Sequence, residues 1–296
     1  MKEIGTRRSS WKQVLQQHSP LVLPAAHDAL TARIIERVGF KAYQIGGFAL
    51  AGALHAVPDV DLEHFGEKSD VARKIIHASV LPALVDADDG YGDVKNVTRT
   101  VREYETMGAA AIFVEDQNAP KRCGHIAGKT VVKTNDMIAK IKAAVAAKRD
   151  PDFFILARTD AIEPNGLADA MRRADAYLKA GADGVYLEGP TSIAQLRQIG
   201  KHFKGAPLAV SILEGGGKTP WLSPEDFYEM GFTMLLYPTS ILFRVARTIE
   251  RAAETLRRGQ PMSRKDALNL KAFEEIVEFD FWSGIEEKFS PQATKR

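Results

Sequence analysis

The sequence predicts a closed α/β barrel of eight strand–helix units, on three observations. Eight short β-type runs recur along the chain, amphipathic segments lie between them, and glycine steps mark the helix ends. Such alternation calls for parallel strands joined by right-handed crossovers, and eight units of this kind close on themselves. A doubly wound open sheet is the rival, and it would carry a glycine-rich first turn. The first turn here reads Pro24-Ala-Ala-His-Asp-Ala-Leu30, with no glycine.

The runs, rich in Val, Ile, Leu, Ala and aromatics, cover residues 21–25, 42–46, 83–86, 111–115, 153–157, 184–187, 207–211 and 234–237. Between them, segments 96–107, 137–148, 168–180 and 192–202 repeat apolar residues at three- and four-residue spacing, as one-sided helices do. Helix ends are expected at Gly39-Phe40, Gly108-Ala109, Gly181-Ala182 and Gly231-Phe232, where glycine supplies the left-handed cap. No linker or low-complexity tract divides the chain, so residues 1–296 read as a single barrel domain. After the eighth run come a helix over 241–258 and an apolar stretch over 263–282, with Leu268, Leu270, Phe273, Ile276, Val277, Phe279, Phe281 and Trp282. That is more apolar surface than a solvated terminal helix exposes, so it packs either on its own barrel or on a partner subunit. Residues 263–296 are accordingly read as a C-terminal helical arm.

Composition narrows the function. The 296 residues are 45% hydrophobic and 26% charged, an ordinary globular balance that excludes wholesale disorder. Forty basic against 38 acidic residues leave a net charge of +2, with no electrostatic case for nucleic acid or an acidic membrane. No apolar run approaches the roughly 20 residues that span a bilayer, and the first 18 residues lack the apolar core of a secretory signal. A single cysteine, Cys123, makes an intrachain disulfide impossible. A cytoplasmic protein is expected.

A barrel of this kind carries its chemistry on the carboxyl ends of the strands. Those ends hold Gly46-Gly47, Asp86 to Asp89, Glu115-Asp116, Arg158-Thr159-Asp160, Glu188 and Ser211. Converging acids repel one another unless paired or metal-bound. Hard oxygen donors with no histidine among them suit Mg²⁺ or Mn²⁺ rather than zinc. Helix capping, or pairing with Arg158, is the alternative for any single carboxylate.

Cys123 sits in Lys121-Arg-Cys-Gly-His125, in the long connection after the fourth run. A lone cysteine is commonly a small buried hydrophobe. Cationic neighbours, however, favour thiolate and make a thiol a usable acid–base group, and the nearby glycines let the loop close over a substrate. Glu214-Gly-Gly-Gly-Lys218-Thr219 is not a phosphate-binding loop, because its first glycine would fall on Ile212.

These residues carry a family resemblance. Asp86-Ala-Asp-Asp-Gly-Tyr-Gly92, Val114-Glu-Asp-Gln117, Pro120-Lys-Arg-Cys-Gly-His125, Ala157-Arg-Thr-Asp-Ala161 and Gly217-Lys-Thr-Pro220 stand in order. The chain resembles the isocitrate lyase/phosphoenolpyruvate mutase superfamily in its short-chain branch, with methylisocitrate lyase, dimethylmalate lyase and carboxyphosphonoenolpyruvate phosphonomutase. The resemblance implies a Mg²⁺-dependent (β/α)₈ TIM barrel whose C-terminal helix is exchanged between subunits, as a homotetramer built from two helix-swapped dimers. By position it makes Asp86 and Asp88 metal-site aspartates, with Asp59 and Glu115 holding the metal's waters. Arg158 becomes the grip on a substrate carboxylate or enolate oxygen, and Glu188 a supporting acid. Tyr43, Gly46 and Gly47 become a substrate-binding strand end, with Gly124, His125 and Ser211 also at the substrate. Cys123 becomes the catalytic thiol of the lyases. Two positions depart from the pattern: Ile45 replaces a hydroxyl residue and Ser211 an asparagine.

The implied reaction is cleavage of a 2-hydroxy di- or tricarboxylate, of 2-methylisocitrate or 2-alkylmalate type, to a 2-oxo acid such as pyruvate plus a carboxylate. Asp59, Glu115 or a polarised water removes the hydroxyl proton, Arg158 and the metal stabilise the oxyanion, and Cys123 protonates the carbanion. Phosphonomutase chemistry on a P–C bond, oxaloacetate hydrolysis or decarboxylation, and a barrel kept only for binding are the alternatives.

Overall fold

A computed structural model describes residues 9–290. The strands are β1 (Leu21–Pro24), β2 (Tyr43–Ile45), β3 (Ala83–Asp86), β4 (Ala111–Glu115), β5 (Phe154–Thr159), β6 (Gly184–Leu187), β7 (Leu208–Ser211) and β8 (Met234–Tyr237). All pair in parallel, in the order β1-β8-β7-β6-β5-β4-β3-β2. A parallel bridge between Ala25 and Gln44 joins the first strand's end to the second. The eight-unit barrel expected from the runs is the fold. Strand β5 extends two residues beyond the run read from sequence, so Arg158 and Thr159 lie within the sheet.

The helices in chain order are α1 (Trp11–His18), α2 (Ala29–Val38), α3 (Gly47–Leu50), α4 (Phe65–His77), α5 (Val94–Met107), α6 (Thr134–Ala147), α7 (Ile162–Asn165), α8 (Leu167–Lys179), α9 (Ile193–His202), α10 (Pro224–Glu229) and α11 (Ser240–Arg257). Asp28, Ser192 and Ser223 cap α2, α9 and α10 by accepting a backbone N–H from the first turn. Gly39, Gly108, Gly181 and Gly231 all take positive φ, between 89° and 107°, as the helix-to-strand steps required.

Alternation along the strands makes two cores. Leu23, Leu84, Phe113, Leu156, Tyr186, Ala209 and Leu236 fill the barrel interior, and Trp11 of α1 closes its amino end against Phe154. Their neighbours Tyr43, Ile45, Val85, Ile112, Val114 and Ile155 face outward into the layer beneath the helices, among Ile35, Ile75, Tyr104 and Ile141. With Ala42 turned inward, the period of two turns Gln44 inward as well.

The chain divides into two compact units, residues up to Phe243 and residues from Arg244. The arm expected from residue 263 lies within the second. It is not one helix: a 3₁₀ turn (Arg264–Asp266) precedes α12 (Leu270–Ile276) and α13 (Phe279–Phe289). Between them Glu278 takes φ 57° and ψ 42°, a left-handed conformation that no right-handed helix passes through. Leu270, Trp282 and Phe289 are 74%, 62% and 70% exposed. Among the described residues, no helix is long and apolar enough to cross a membrane.

Candidate active site

The strand ends deliver polar side chains to one cavity of about 40 Å³ at the carboxyl end of the barrel. Its lining includes Gly46, Gly47, Asp59, Asp86, Cys123, Gly124, His125, Arg158, Glu188 and Ser211, all but three of the residues to which the resemblance gives a role. Asp88 and Glu115 lie against this wall through their ion pairs. Tyr43 does not. It and Ile45 point into the outer layer, where the Tyr43 hydroxyl donates to the Ile75 carbonyl at 3.4 Å. The expectations that Tyr43 binds substrate and that Ile45 replaces a substrate contact are therefore corrected by the phase of the strand. Gln44 faces the cavity instead, its amide donating to the Leu23 carbonyl at 3.0 Å.

The acidic wall is built from β3 and β4. Asp86 accepts the backbone N–H of Gly47 on Oδ2 and that of Asp88 on Oδ1, each at 3.0 Å. Burial and the neighbouring Asp88 carboxylate push the Asp86 pKa up. Asp88 itself stands at φ 47°, a strained setting for a non-glycine residue. Its carboxylate meets Lys68 Nζ at 2.5 Å and Lys121 Nζ at 2.7 Å. Burial opposes its ionisation, but Lys121 and Lys68 outweigh that and hold the carboxyl well below the usual range. Lys121 also pairs with Asp59. Glu115 is pushed well above the ordinary carboxyl range by burial, with Arg158 opposing the shift and Asp160 adding to it.

These residues fit a divalent cation. The buried Oε1 of Glu115 has no hydrogen-bond partner, and Asp86 and Glu115 are both disfavoured as anions by burial and by other acids. All donors are hard carboxylate oxygens, the set that Mg²⁺ or Mn²⁺ takes. Among the described residues, no three acidic, histidine or cysteine side chains already stand as a cage, because lysines hold Asp59 and Asp88.

Opposite lies Arg158, inside the barrel over the rings of Phe113 and Tyr186, at 5.8 and 5.2 Å. Asp160 takes its guanidinium on both oxygens, at 2.8 and 3.0 Å, and Glu115 takes Nη1 at 3.2 Å. Asp160 is fixed in turn by Asp116. The buried Asp116 carboxylate accepts the Asp160 N–H, the Thr159 hydroxyl and the Tyr177 hydroxyl, at 2.9, 2.8 and 2.7 Å.

The loop between β4 and α6 lays Cys123 over the cavity. Its backbone N–H donates to the Asp59 carbonyl at 3.0 Å, and its side chain is buried. Burial pushes the thiol up to about 11, outweighing its bond with the His125 backbone. Thiolate character was expected from Lys121 and Arg122, and the structure corrects it. Lys121 turns to Asp59 and Asp88, while Arg122 turns outward to the Ala127 carbonyl. Sequence neighbours are not spatial neighbours here. A neutral thiol suits a proton donor rather than a nucleophile. Beside it, Gly124 packs so closely that a Cβ would fall 2.4 Å from Glu188 Cγ and 2.5 Å from Arg158 Nη2. Glu188 takes the Tyr186 hydroxyl on one oxygen and faces His125 Nε2 at 3.1 Å with the other.

Lys68, Asp160 and Tyr186 were not singled out as partners from sequence. Lys68 carried a usable signal: it falls on the apolar stripe of α4 with Phe65, Ala72 and Ile75, where a charge needs a buried partner.

A sequence profile of the phosphoenolpyruvate phosphomutase family matches residues 12–257. The chain belongs to the PEP mutase/isocitrate lyase superfamily. Within this superfamily it is 40% identical to the 2,3-dimethylmalate lyase of Eubacterium barkeri over 232 residues, 78% of this chain and 80% of that one. It is 38% identical to the 2-methylisocitrate lyase of Aeropyrum pernix over 247 residues, covering 83% and 77%. Oxaloacetate acetylhydrolase, solved with 3,3-difluorooxalacetate, superimposes with a TM-score of 0.89 at 29% identity over 95% and 96% of the chains. Phosphonopyruvate hydrolase, solved with oxalate and Mg²⁺, does so with a TM-score of 0.85 at 27% identity over 97% and 100%.

Proposed function

We propose that the protein is a Mg²⁺-dependent carbon–carbon lyase. Its substrate is a 2-hydroxy di- or tricarboxylate of 2-methylisocitrate or 2-alkylmalate type, split into a 2-oxo acid such as pyruvate and a carboxylate. The observation that carries the reading is the protonated, buried Cys123 thiol lining the same cavity as the carboxylates and Arg158. A bond cleavage that leaves a carbanion needs such a donor, and phosphoryl migration does not. The relatives named as lyases support the same reading.

Asp86, Asp88 and Glu115 would hold the cation, which supplies Lewis acidity that makes the substrate hydroxyl a better proton donor. Glu115, whose Oε1 has no hydrogen-bond partner, or a water polarised at the site takes that proton. Asp59, tied to Lys121, is the second candidate. Arg158 donates two N–H groups to Asp160 and pairs with Glu115 and Glu188, and its remaining N–H groups stabilise the developing oxyanion. Cys123 then protonates the carbon released by cleavage. The closed loop, seated by Gly124, keeps water from that carbon. The reading extends to a cytoplasmic homotetramer with exchanged arms, supported by the apolar side chains that α12 and α13 leave exposed.

The test is release of 2-oxo acid from a panel of 2-alkylmalates, 2-methylisocitrate, oxaloacetate and phosphonopyruvate, with Mg²⁺ and after EDTA. Turnover of a 2-hydroxy acid that EDTA abolishes is expected. Turnover confined to phosphonopyruvate or to oxaloacetate would replace the lyase with a phosphono-enzyme or a hydrolase.

A further inference from the structure

Lys68 enters the site from α4, on the outside of the barrel wall. Its side chain is buried, and its ammonium ends 2.5 Å from Oδ2 of Asp88, while Lys121 takes Oδ1 at 2.7 Å. Gly47 leaves the opening for it. A Cβ at Gly47 would stand 3.2 Å from Lys68 Nζ, 3.2 Å from Asp86 Oδ2 and 3.5 Å from Asp88 Oδ1. The ammonium thus occupies the same small space as two of the three carboxylates assigned to the cation. A buried ammonium is costly unless compensated, and the carboxylate that compensates Lys68 is one the cation needs.

We propose that Lys68 is a resident cation that competes with the divalent ion for Asp88 and thereby sets a weak metal affinity. The inference rests on the metal assignment of the lyase reading, but not on its substrate. An ion ligated by Asp88 at about 2.1 Å stands within about 6 Å of an ammonium on the same carboxylate. At that separation a single positive charge weakens binding of a divalent ion by about tenfold even at the permittivity of water. Lys121 differs, because Asp59 shares its charge and a loop carries it. Lys68 stands on a helix, so its charge stays in place whether or not that loop is closed.

The experiment is a Mn²⁺ titration of the full chain, followed by electron paramagnetic resonance of the free ion, with Mg²⁺ competition. Wild type is compared with Lys68→Met, Lys68→Gln and Lys68→Arg. The neutral variants should bind Mn²⁺ about tenfold or more tightly than wild type, and Lys68→Arg, which keeps the charge, should match it. A purely structural lysine predicts the reverse, since Asp88 would lose its anchor and metal binding would weaken. Unchanged or weaker binding in a neutral variant that melts like wild type would overturn the proposal. So would failure of both neutral variants to fold, which would make the ammonium a structural requirement. Absence of Mn²⁺ binding to every variant would remove the metal assignment itself, a separate outcome.

Discussion

The backbone N–H of Lys218 donates to Nδ1 of His125 at 3.1 Å, joining the thiol-bearing loop to the glycine-rich loop after β7. An imidazole that accepts on Nδ1 carries its proton on Nε2, which faces Glu188. Lys218 reinforces the clasp through Glu163, which also accepts the Gly128 N–H at 2.9 Å. The residues that failed as a phosphate loop therefore tie the two loops together.

This contact and the Cys123 thiol together predict a pH window for kcat/KM. Burial lowers the His125 pKa, with Glu188 opposing. His125 must be neutral to accept from Lys218, so activity is lost as pH falls through a value below 6.5. Cys123 must be protonated to donate, so activity is lost as pH rises toward about 11. A pH–rate profile flat from about pH 7 to 9 is expected. An alkaline loss near pH 8.5 that tracks thiol alkylation would contradict the burial of Cys123.

Gly124→Ala should act through packing alone. Its Cβ would overlap Glu188 Cγ at 2.4 Å and Arg158 Nη2 at 2.5 Å, so the loop cannot seat with both in place. We expect kcat/KM to fall about a hundredfold, the usual cost of displacing a catalytic group by about 1 Å, with the thermal melt near wild type. Near-normal kinetics would show that the loop closes in some other way.

The second unit yields an assembly prediction. Deleting residues 263–296 should leave aggregated or monomeric, poorly soluble protein, as read by light scattering on a sizing column. The motivation is the exposure of Leu270, Trp282 and Phe289. A truncated chain that remains tetrameric and stable would place the arm on its own subunit.

How far the sequence reveals this molecule depends on what kind of fact is sought. Strands β3, β4, β6 and β8 run where the apolar runs place them, because hydrophobicity and strand coincide in a sheet buried on both faces. Strand β5 outruns its apolar run, since Arg158 and Thr159 find buried carboxylate partners and remain inside the sheet. The phase of β2 was legible in principle: Ala42 inward implies Gln44 inward, with Tyr43 and Ile45 in the outer layer. The thiol's environment was not legible. Lys121 and Arg122 flank Cys123 in the chain, but their charges go elsewhere in space, and burial sets its pKa.

Cys123→Ser tests the proton donor directly. Serine preserves the size of the site and the backbone bond to Asp59, so substrate and Mn²⁺ binding should change little. Its hydroxyl is far too weak an acid to replace the thiol, and kcat should fall by about 10²–10⁴-fold, the usual worth of a positioned acid. A loss confined to kcat marks an interaction made only in the transition state. A cysteine that merely packs predicts a lower melting temperature with kinetics intact, since the side chain is buried. P–C bond chemistry predicts turnover that tolerates the change, because phosphoryl migration protonates no carbon at that position. Single-turnover measurements on the best 2-hydroxy acid separate these outcomes, and a serine variant with wild-type kcat would remove Cys123 from the chemistry while leaving the barrel and its carboxylates as they stand.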